Sequence, residues 1–368
     1  MELPQIDDYK RLFISDTPLL DVRAPIEFLQ GAFPNTINVP LINNEERHAI
    51  GIRYKEMGQD KAIELGHQLV QGDVKDVRVN AWAEFAQQHP QGALYCFRGG
   101  MRSKISQQWI FDKTGVVYPR IKGGYKALRR YLTNELNFAA QEIQPIILSG
   151  RTGVGKTVLL NRIKQKVDLE ALFHHRGSAF GKHITPQPSQ IDIENLLSIE
   201  LLKHRSDNIR KLVMEDEAPN IGSRRLPDCI FQAMKQSPVI LLEADIEDRV
   251  DIVFEEYITK ALAEYQNLLG KSQGFDSWAG SLKTALEKIQ RRLGGQRYQS
   301  LKSIMEDAIS RHCKEGLADH HKIWIRGLLV EYYDPMYDYQ LSKKTERVVF
   351  RGEREGVLDY LNRQLDVR

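Results

Sequence analysis

The 368-residue chain has three cysteines, Cys96, Cys229 and Cys313, and none is part of a CxxC pair. That argues against a disulfide framework or a cysteine-rich zinc site, and it suits a reducing cytoplasm. No apolar run approaches the roughly 20 residues of a membrane span, so no membrane association is expected. The opening MELPQIDDYKRLF has no basic segment leading into an apolar one, so no signal peptide is expected either. Charge bias is also missing. A formal net charge of +3 allows local basic patches but does not mark a strongly basic nucleic-acid binder. Internal repeats and low-complexity tracts are lacking. What remains is a soluble composition at a length that allows two domains, each with its own core.

Short strands and helices alternate in the first half. LLDV (19–22), INVP (37–40) and GALYCF (92–97) read as strands, residues 43–70 as largely helical, and VNAWAEFAQQHP as an amphipathic helix. The pattern restarts with QPIILSG, then TVLLNRIKQK as a helix. ALFHHRG, KLVMED, PVILLEA, GLLVEYYDP and RVVFRG are further strand candidates. The fold class is α/β with parallel sheets. The expected division is a first domain over 1–130, a linking helix over 131–143, and a second domain over 144–368 with a helical insertion at about 246–318.

YCFRGGMRS (95–103) places a cysteine at the end of a strand, then two glycines, two arginines and the start of a helix. The spacing is Cys-x5-Arg. Backbone N–H groups around Gly99 and Gly100 can curl into an anion nest, and the helix N-terminus adds partial positive charge. Arg98 and Arg102 would supplement it, and a thiolate at Cys96 would be nucleophilic near neutral pH. A buried inert cysteine is the plain alternative. Cysteine phosphatases and sulfurtransferases share the spacing, and phosphatases usually have His where Tyr95 stands.

GRTGVGKT (150–157) fits G-x-x-x-x-G-K-[ST] between a strand and a helix. Gly150, Gly153 and Gly155 let the backbone approach phosphate oxygens, Lys156 neutralises charge, and Thr157 can ligate Mg²⁺. Asp216 is the first choice for a second Mg²⁺ ligand, with Glu215 next; a solvated acidic cluster is the alternative. The loop binds a polyphosphate of unspecified identity. No organic prosthetic group is indicated.

Residues 1–130 resemble a rhodanese domain. LLDVRAPIEFLQGAFPNTINVP is similar to that family's DVR…E(F/Y)…GHIPGAINIP stretch, with Asp21, Arg23, Glu27, Gly31, Pro34 and Asn38 in matching places. The helical stretch 43–70 is not generic to it. The ordered set CFRGGMRS, GRTGVGKT, HHRGSAFG (174–181), EDEAPNIG (215–222) and YYDPMYDY (332–339) resembles the tRNA 2-selenouridine synthase family over essentially the whole chain. The resemblance implies a transferase acting on wobble-position 2-thiouridine in tRNA, with geranyl diphosphate and selenophosphate as co-substrates. S-geranylation comes first, then selenium replaces the geranylthio group. Cys96 is then the residue essential for selenation, and Arg98, Gly99, Gly100 and Arg102 hold selenophosphate. Gly150 to Thr157 holds the diphosphate. Arg176, Gly177, Ser178, Phe180 and Gly181 border the reaction centre, with Phe180 a candidate lining the geranyl pocket.

Basic stretches offer tRNA contacts at Arg224, Arg225, Arg291, Arg292 and Arg297, with Tyr298 placed to stack on a flipped base. A solvated helix face is the bland reading of each. Two rival functions remain. One is an ATP-dependent kinase or sulfurtransferase with a rhodanese sulfur carrier; the other is a non-catalytic sensor and switch.

Overall fold

A computed structural model describes residues 3–366. The chain forms two compact units, Met1–Ala139 with Ser189–Asp207, and Ala140–Pro188 with Asn208–Arg368. In the first unit, strands β1 (Gln5–Ile6), β2 (Leu19–Asp21), β3 (Thr36–Asn38), β4 (Ala93–Tyr95) and β5 (Arg120–Ile121) make a sheet of order β1-β5-β4-β2-β3. All pairings in it are parallel. The central strands β2 and β4 are buried throughout, with apolar residues everywhere but at Asp21, which pairs with Arg23. One core holds Leu20, Leu94, Trp82 and Ile110; another holds Leu19, Tyr95, Leu128 and Leu132.

The helix Asn44–Leu69 starts with a capping box between Asn43 and Glu46 and is interrupted at Gly58, whose φ is 80°. Arg23 is fully buried. Its Nε donates to Asp21 Oδ2 at 2.8 Å, its second guanidinium nitrogen donates to Gly31 O at 2.8 Å, and its guanidinium lies 3.8 Å from the centre of the Tyr125 ring. The Asp-Val-Arg motif therefore builds the core beneath the site.

The second unit contains β6 (Gln144–Ser149), β7 (Lys166–Val167), β8 (Lys211–Glu215), β9 (Asn220–Ile221), β10 (Arg224–Arg225), β11 (Val239–Leu242) and β12 (Val348–Gly352). The sheet order is β12-β11-β6-β8-β7, all parallel, while β9 and β10 form an antiparallel hairpin. The chain leaves β6 with neighbours on both sides, so the end of β6 is a topological switch point, where open α/β sheets bind ligands.

Several elements differ from expectation. Residues 189–207 pack in the first unit, because Ile199 and Leu202 of helix Gln190–Ser206 close the core formed by Leu12, Phe13, Leu128 and Leu132. The expected strand ALFHHRG begins instead in a helix, Leu169–Phe173, started by the Asp168 carboxylate, which accepts from Ala171 N. GLLVEYYDP is also helical, from His321–Leu328 through Leu329–Tyr333 to Asp334–Ser342. Leu328, Leu329, Tyr332 and Tyr333 recur at helical spacing and are buried against Trp278 and Trp324. The helical layer therefore extends from Ile246 to Ser342, past the expected end at 318. The helix after the phosphate loop is short, Lys156–Leu160.

Candidate active site

Cys96 directly follows β4, and the helix Met101–Thr114 begins after Gly100. The thiol is 3 % exposed; it donates to Ser103 Oγ at 3.2 Å, which donates to Gly100 O at 3.0 Å. The N–H groups of Phe97, Arg98, Gly99 and Gly100 donate no backbone hydrogen bond among the described residues. Free donors in a turn at the start of a 14-residue helix suit an anion. The turn is pressed against a second glycine pair. A Cβ on Gly124, whose φ is +59°, would lie 2.2 Å from Cys96 O. The two expected arginines are not equivalent. Arg98 is exposed, whereas Arg102 is already held by Glu27, with bonds of 2.6 and 3.1 Å. Although burial works against ionisation, Arg102 and then the backbone N–H of Ala24 and Arg47 hold the Glu27 carboxyl below the usual carboxylate range. Arg102 is therefore paired with Glu27, while Arg98 has no carboxylate partner among the described residues.

In the second unit, the loop after β6 has left-handed backbone at Gly153 and Gly155. The N–H groups of Thr152, Gly153, Gly155, Lys156 and Thr157 donate no backbone hydrogen bond among the described residues. Lys156 Nζ donates to Gly150 O at 3.2 Å, a contact a phosphate can replace. All these residues border one cavity of about 820 Å³.

Carboxylates crowd beside the loop. Thr157 Oγ1 donates to Glu170 Oε2 at 3.3 Å, and Glu215 Oε2 accepts from Glu170 N at 3.0 Å. Glu215 is fully buried, and its Oε1 has no hydrogen-bond partner among the described residues. Burial, and then the proximity of Glu170, push Glu215 well above its ordinary pKa and Glu217 up to about 8. Glu170 is raised mainly by burial. Asp216 accepts from Ser149 Oγ and pairs with Lys344. Among the described residues no three His, Cys, Asp or Glu groups already form a metal cage. Mg²⁺ characteristically takes only one or two carboxylates beside substrate phosphates. The unpartnered Glu215 Oε1 and the all-oxygen donor set fit that ion.

The same cavity is lined by Arg176, Gly177 and Ser178 and by apolar side chains and rings that include Ile289, Met336, Tyr332 and Tyr333, while Ile252 and Val253 pack beside Gly155 and Gly153 of the loop. Ser178 Oγ lies 2.8 Å from Tyr257 OH. A Cβ on Gly177 would come within 2.3 Å of Glu170 Oε1, so the Gly-Ser turn rests on the carboxylates. Gly181 closes that turn, its carbonyl accepting from Arg176 N at 2.9 Å. Phe180 does not line the cavity. It is buried against Trp324, with ring centres 5.7 Å apart.

The residues proposed for tRNA fall in separate environments. Arg224 Nε donates to Pro188 O at 2.7 Å, Arg225 pairs with Asp228 at 2.7 Å, and Arg297 lies 3.6 Å from Glu331. Arg292 lines the large cavity, and Arg291 an open groove beside Gly294. Tyr298 is 5 % exposed and part of the helical core, so it cannot stack on a base without leaving that core. Sequence reasoning named Glu217 only within the acidic cluster beside Glu215 and Asp216, and missed Glu170, Lys344, His183 and Glu264. A weak signal existed for Glu170, in the helix-start pattern DLEALF.

The fold and site together define an α/β protein with a glycine-rich G-x-x-x-x-G-K-[ST] loop after β6 and, in its first unit, a cysteine-bearing turn after β4. The model of the tRNA 2-selenouridine synthase AAA domain matches residues 143–367. Three tRNA 2-selenouridine synthases illustrate the likeness. That of Bordetella bronchiseptica is 49% identical over 96% of each chain, and that of Marinobacter nauticus is 49% identical over 97% of each. That of Pseudomonas syringae is 48% identical over 98% of each. The chain belongs to the tRNA 2-selenouridine synthase family. Among the described residues no helix is long and apolar enough to cross a membrane.

Proposed function

We propose that this enzyme replaces sulfur by selenium in wobble-position 2-thiouridine of tRNA, through S-geranylation by geranyl diphosphate followed by selenation from selenophosphate. The observation that carries the first step is the 820 Å³ cavity, which joins free loop N–H donors and Lys156 to an apolar tyrosine-rich wall. The donors suit a diphosphate, and the apolar lining suits a branched hydrocarbon. The backbone donors and Lys156 hold the departing diphosphate, which lowers the barrier to breaking the allylic C–O bond. Thr157, Glu170 and Glu215, with Asp216 as a further candidate, would hold Mg²⁺, which supplies charge neutralisation at the diphosphate.

Alkylation turns a poor leaving group into a good one. A selenium nucleophile adds at C2, and the geranylthio group departs. Support for the selenium role of Cys96 comes from its anion turn: free N–H groups at residues 97–100, the exposed Arg98, and a thiol restrained by Ser103. Arg102 would set the shape of that turn through Glu27.

The test is nucleoside mass spectrometry of a 2-thiouridine-containing tRNA incubated with enzyme, Mg²⁺ and each donor alone or together. Geranylation without selenophosphate, lost in Lys156→Ala, and selenation lost in Cys96→Ala, are the expected results. Unchanged nucleosides with ATP hydrolysed instead would favour an ATP-dependent enzyme and overturn the reading.

A further inference from the structure

S-alkylation of a thiouridine releases a proton that the reaction must place. As sulfur bonds to the allylic carbon and the C–O bond to diphosphate breaks, C2 becomes doubly bonded to N3. The N3–H proton must then leave. The acceptor should lie in the cavity that holds the diphosphate, and it must offer an unprotonated lone pair beforehand.

Three histidines line that cavity: His174, His175 and His183. His183 is half-buried, and its Nδ1 lies 3.0 and 3.2 Å from the two oxygens of Glu264. A carboxylate at Nδ1 fixes the tautomer with hydrogen on that nitrogen and leaves Nε2 as a lone pair. Nε2 of His183 has no hydrogen bond among the described residues. The ring is held by His174, stacked on it at 4.1 Å between centres and 16° between planes. His174 is itself anchored by a 2.6 Å bond to Thr185 Oγ1 and has a left-handed backbone, φ 49°, uncommon for a non-glycine residue. Arg176 also pairs with Glu264, so the carboxylate is oriented from two sides.

We propose that His183, oriented by Glu264 and His174, is the base that accepts the N3 proton of the thiouridine during S-alkylation. The inference rests on the geranylation reading above. In the forward step the N3–H electron pair becomes the C2–N3 double bond, the former C2–S π pair forms the new S–C bond, and diphosphate leaves with the C–O pair. Atoms, charge and electrons balance with the proton on His183 Nε2. The charged groups facing His183 are Arg176 and Glu264, with His174 and His175 close by. Burial and Arg176 favour its neutral form, and Glu264 opposes them.

The experiment measures S-geranylation rates from pH 5 to 8 for wild type, His183→Gln and Glu264→Gln, with binding of inorganic diphosphate checked for each. Wild type should lose rate on the acid side, where the histidine is protonated. His183→Gln should bind diphosphate but geranylate about 10²-fold more slowly, with that acid limb gone. Glu264→Gln should move the limb to lower pH, because the carboxylate that favours protonation is lost. A His183→Gln rate within about threefold of wild type, with an unchanged acid limb, would overturn the inference while leaving geranylation intact. A wild-type enzyme that geranylates nothing overturns the underlying reading instead. If His183→Gln no longer binds diphosphate, the Glu264→Gln limb decides: a shifted limb supports the assignment, and an unmoved one removes it.

Discussion

Glu27 and Arg102, 75 residues apart, form a two-bond ion pair at the cysteine loop. The same carboxylate accepts from Ala24 N and lies 3.3 Å from Arg47. One buried acid thus fixes the last residue of Cys-x5-Arg and the start of helix Pro25–Leu29.

Glu27→Gln should lower stability by about 2 kcal/mol near neutral pH, the usual worth of charge-assisted bonds. The folded-state pKa of Glu27 is depressed, so its contribution is present above the unfolded value and lost as pH falls through the folded one. Urea unfolding at pH 7 and pH 3.5 should show the variant's deficit shrinking at the lower pH. An equal deficit at both would contradict the ion-pair account.

Lys344→Met should be costly, on the order of 3 kcal/mol, because it leaves the Asp216 carboxylate half-paired in a largely buried setting. Asp216→Asn combined with Lys344→Met should recover much of that loss. A double-mutant cycle by chemical denaturation gives the answer, and strict additivity would deny the coupling.

Gly124→Ala should open the cysteine turn, since a Cβ would sit 2.2 Å from Cys96 O in a backbone that favours glycine. Alkylation of Cys96, followed by peptide mass spectrometry, should speed up at least about tenfold, with Cys313 as the exposed reference. Unchanged Cys96 labelling would show that the turn tolerates the methyl group.

Acid should destabilise the helical layer through His321. Its Nδ1 accepts from Trp324 Nε1 at 2.9 Å, its Nε2 lies 3.3 Å from His312 Nδ1, and burial pushes its pKa down to about 3. The folded state keeps this ring neutral where the unfolded chain would protonate it. Stability is therefore full above about pH 6.5 and declines towards about pH 3. His321→Gln should flatten the thermal midpoint's dependence on pH between 6.5 and 4. A slope identical to wild type would assign the acid effect elsewhere.

The phosphate loop and cysteine turn were legible because each is a local pattern: glycines, a strand before and a helix after. The expected strand at GLLVEYYDP failed for lack of context. Its apolar residues suit either period, and the helical core around Trp278 and Trp324 decides the matter. Glu170 and Lys344 could not be found from spacing, since their partners Thr157 and Asp216 are 13 and 128 residues away. The pairing of Arg102, in the first turn of helix Met101–Thr114, could not be read from the loop, because Glu27 lies in a different element. Tyr298 carried a nucleic-acid signature in sequence and proved to be core.

The return of residues 189–207 to the first unit bears on how the chain is made. A ribosome that has released residues 1–139 has not yet supplied Ile199 and Leu202, so one core face stays wet. The nascent first unit must wait, partly assembled, while β6 and the phosphate loop are synthesised. A gene fragment ending at 143 would encode that waiting state, with Leu12, Phe13 and Leu132 exposed for aggregation. Expression of an independent first unit should require the later helix, fused or supplied as a peptide.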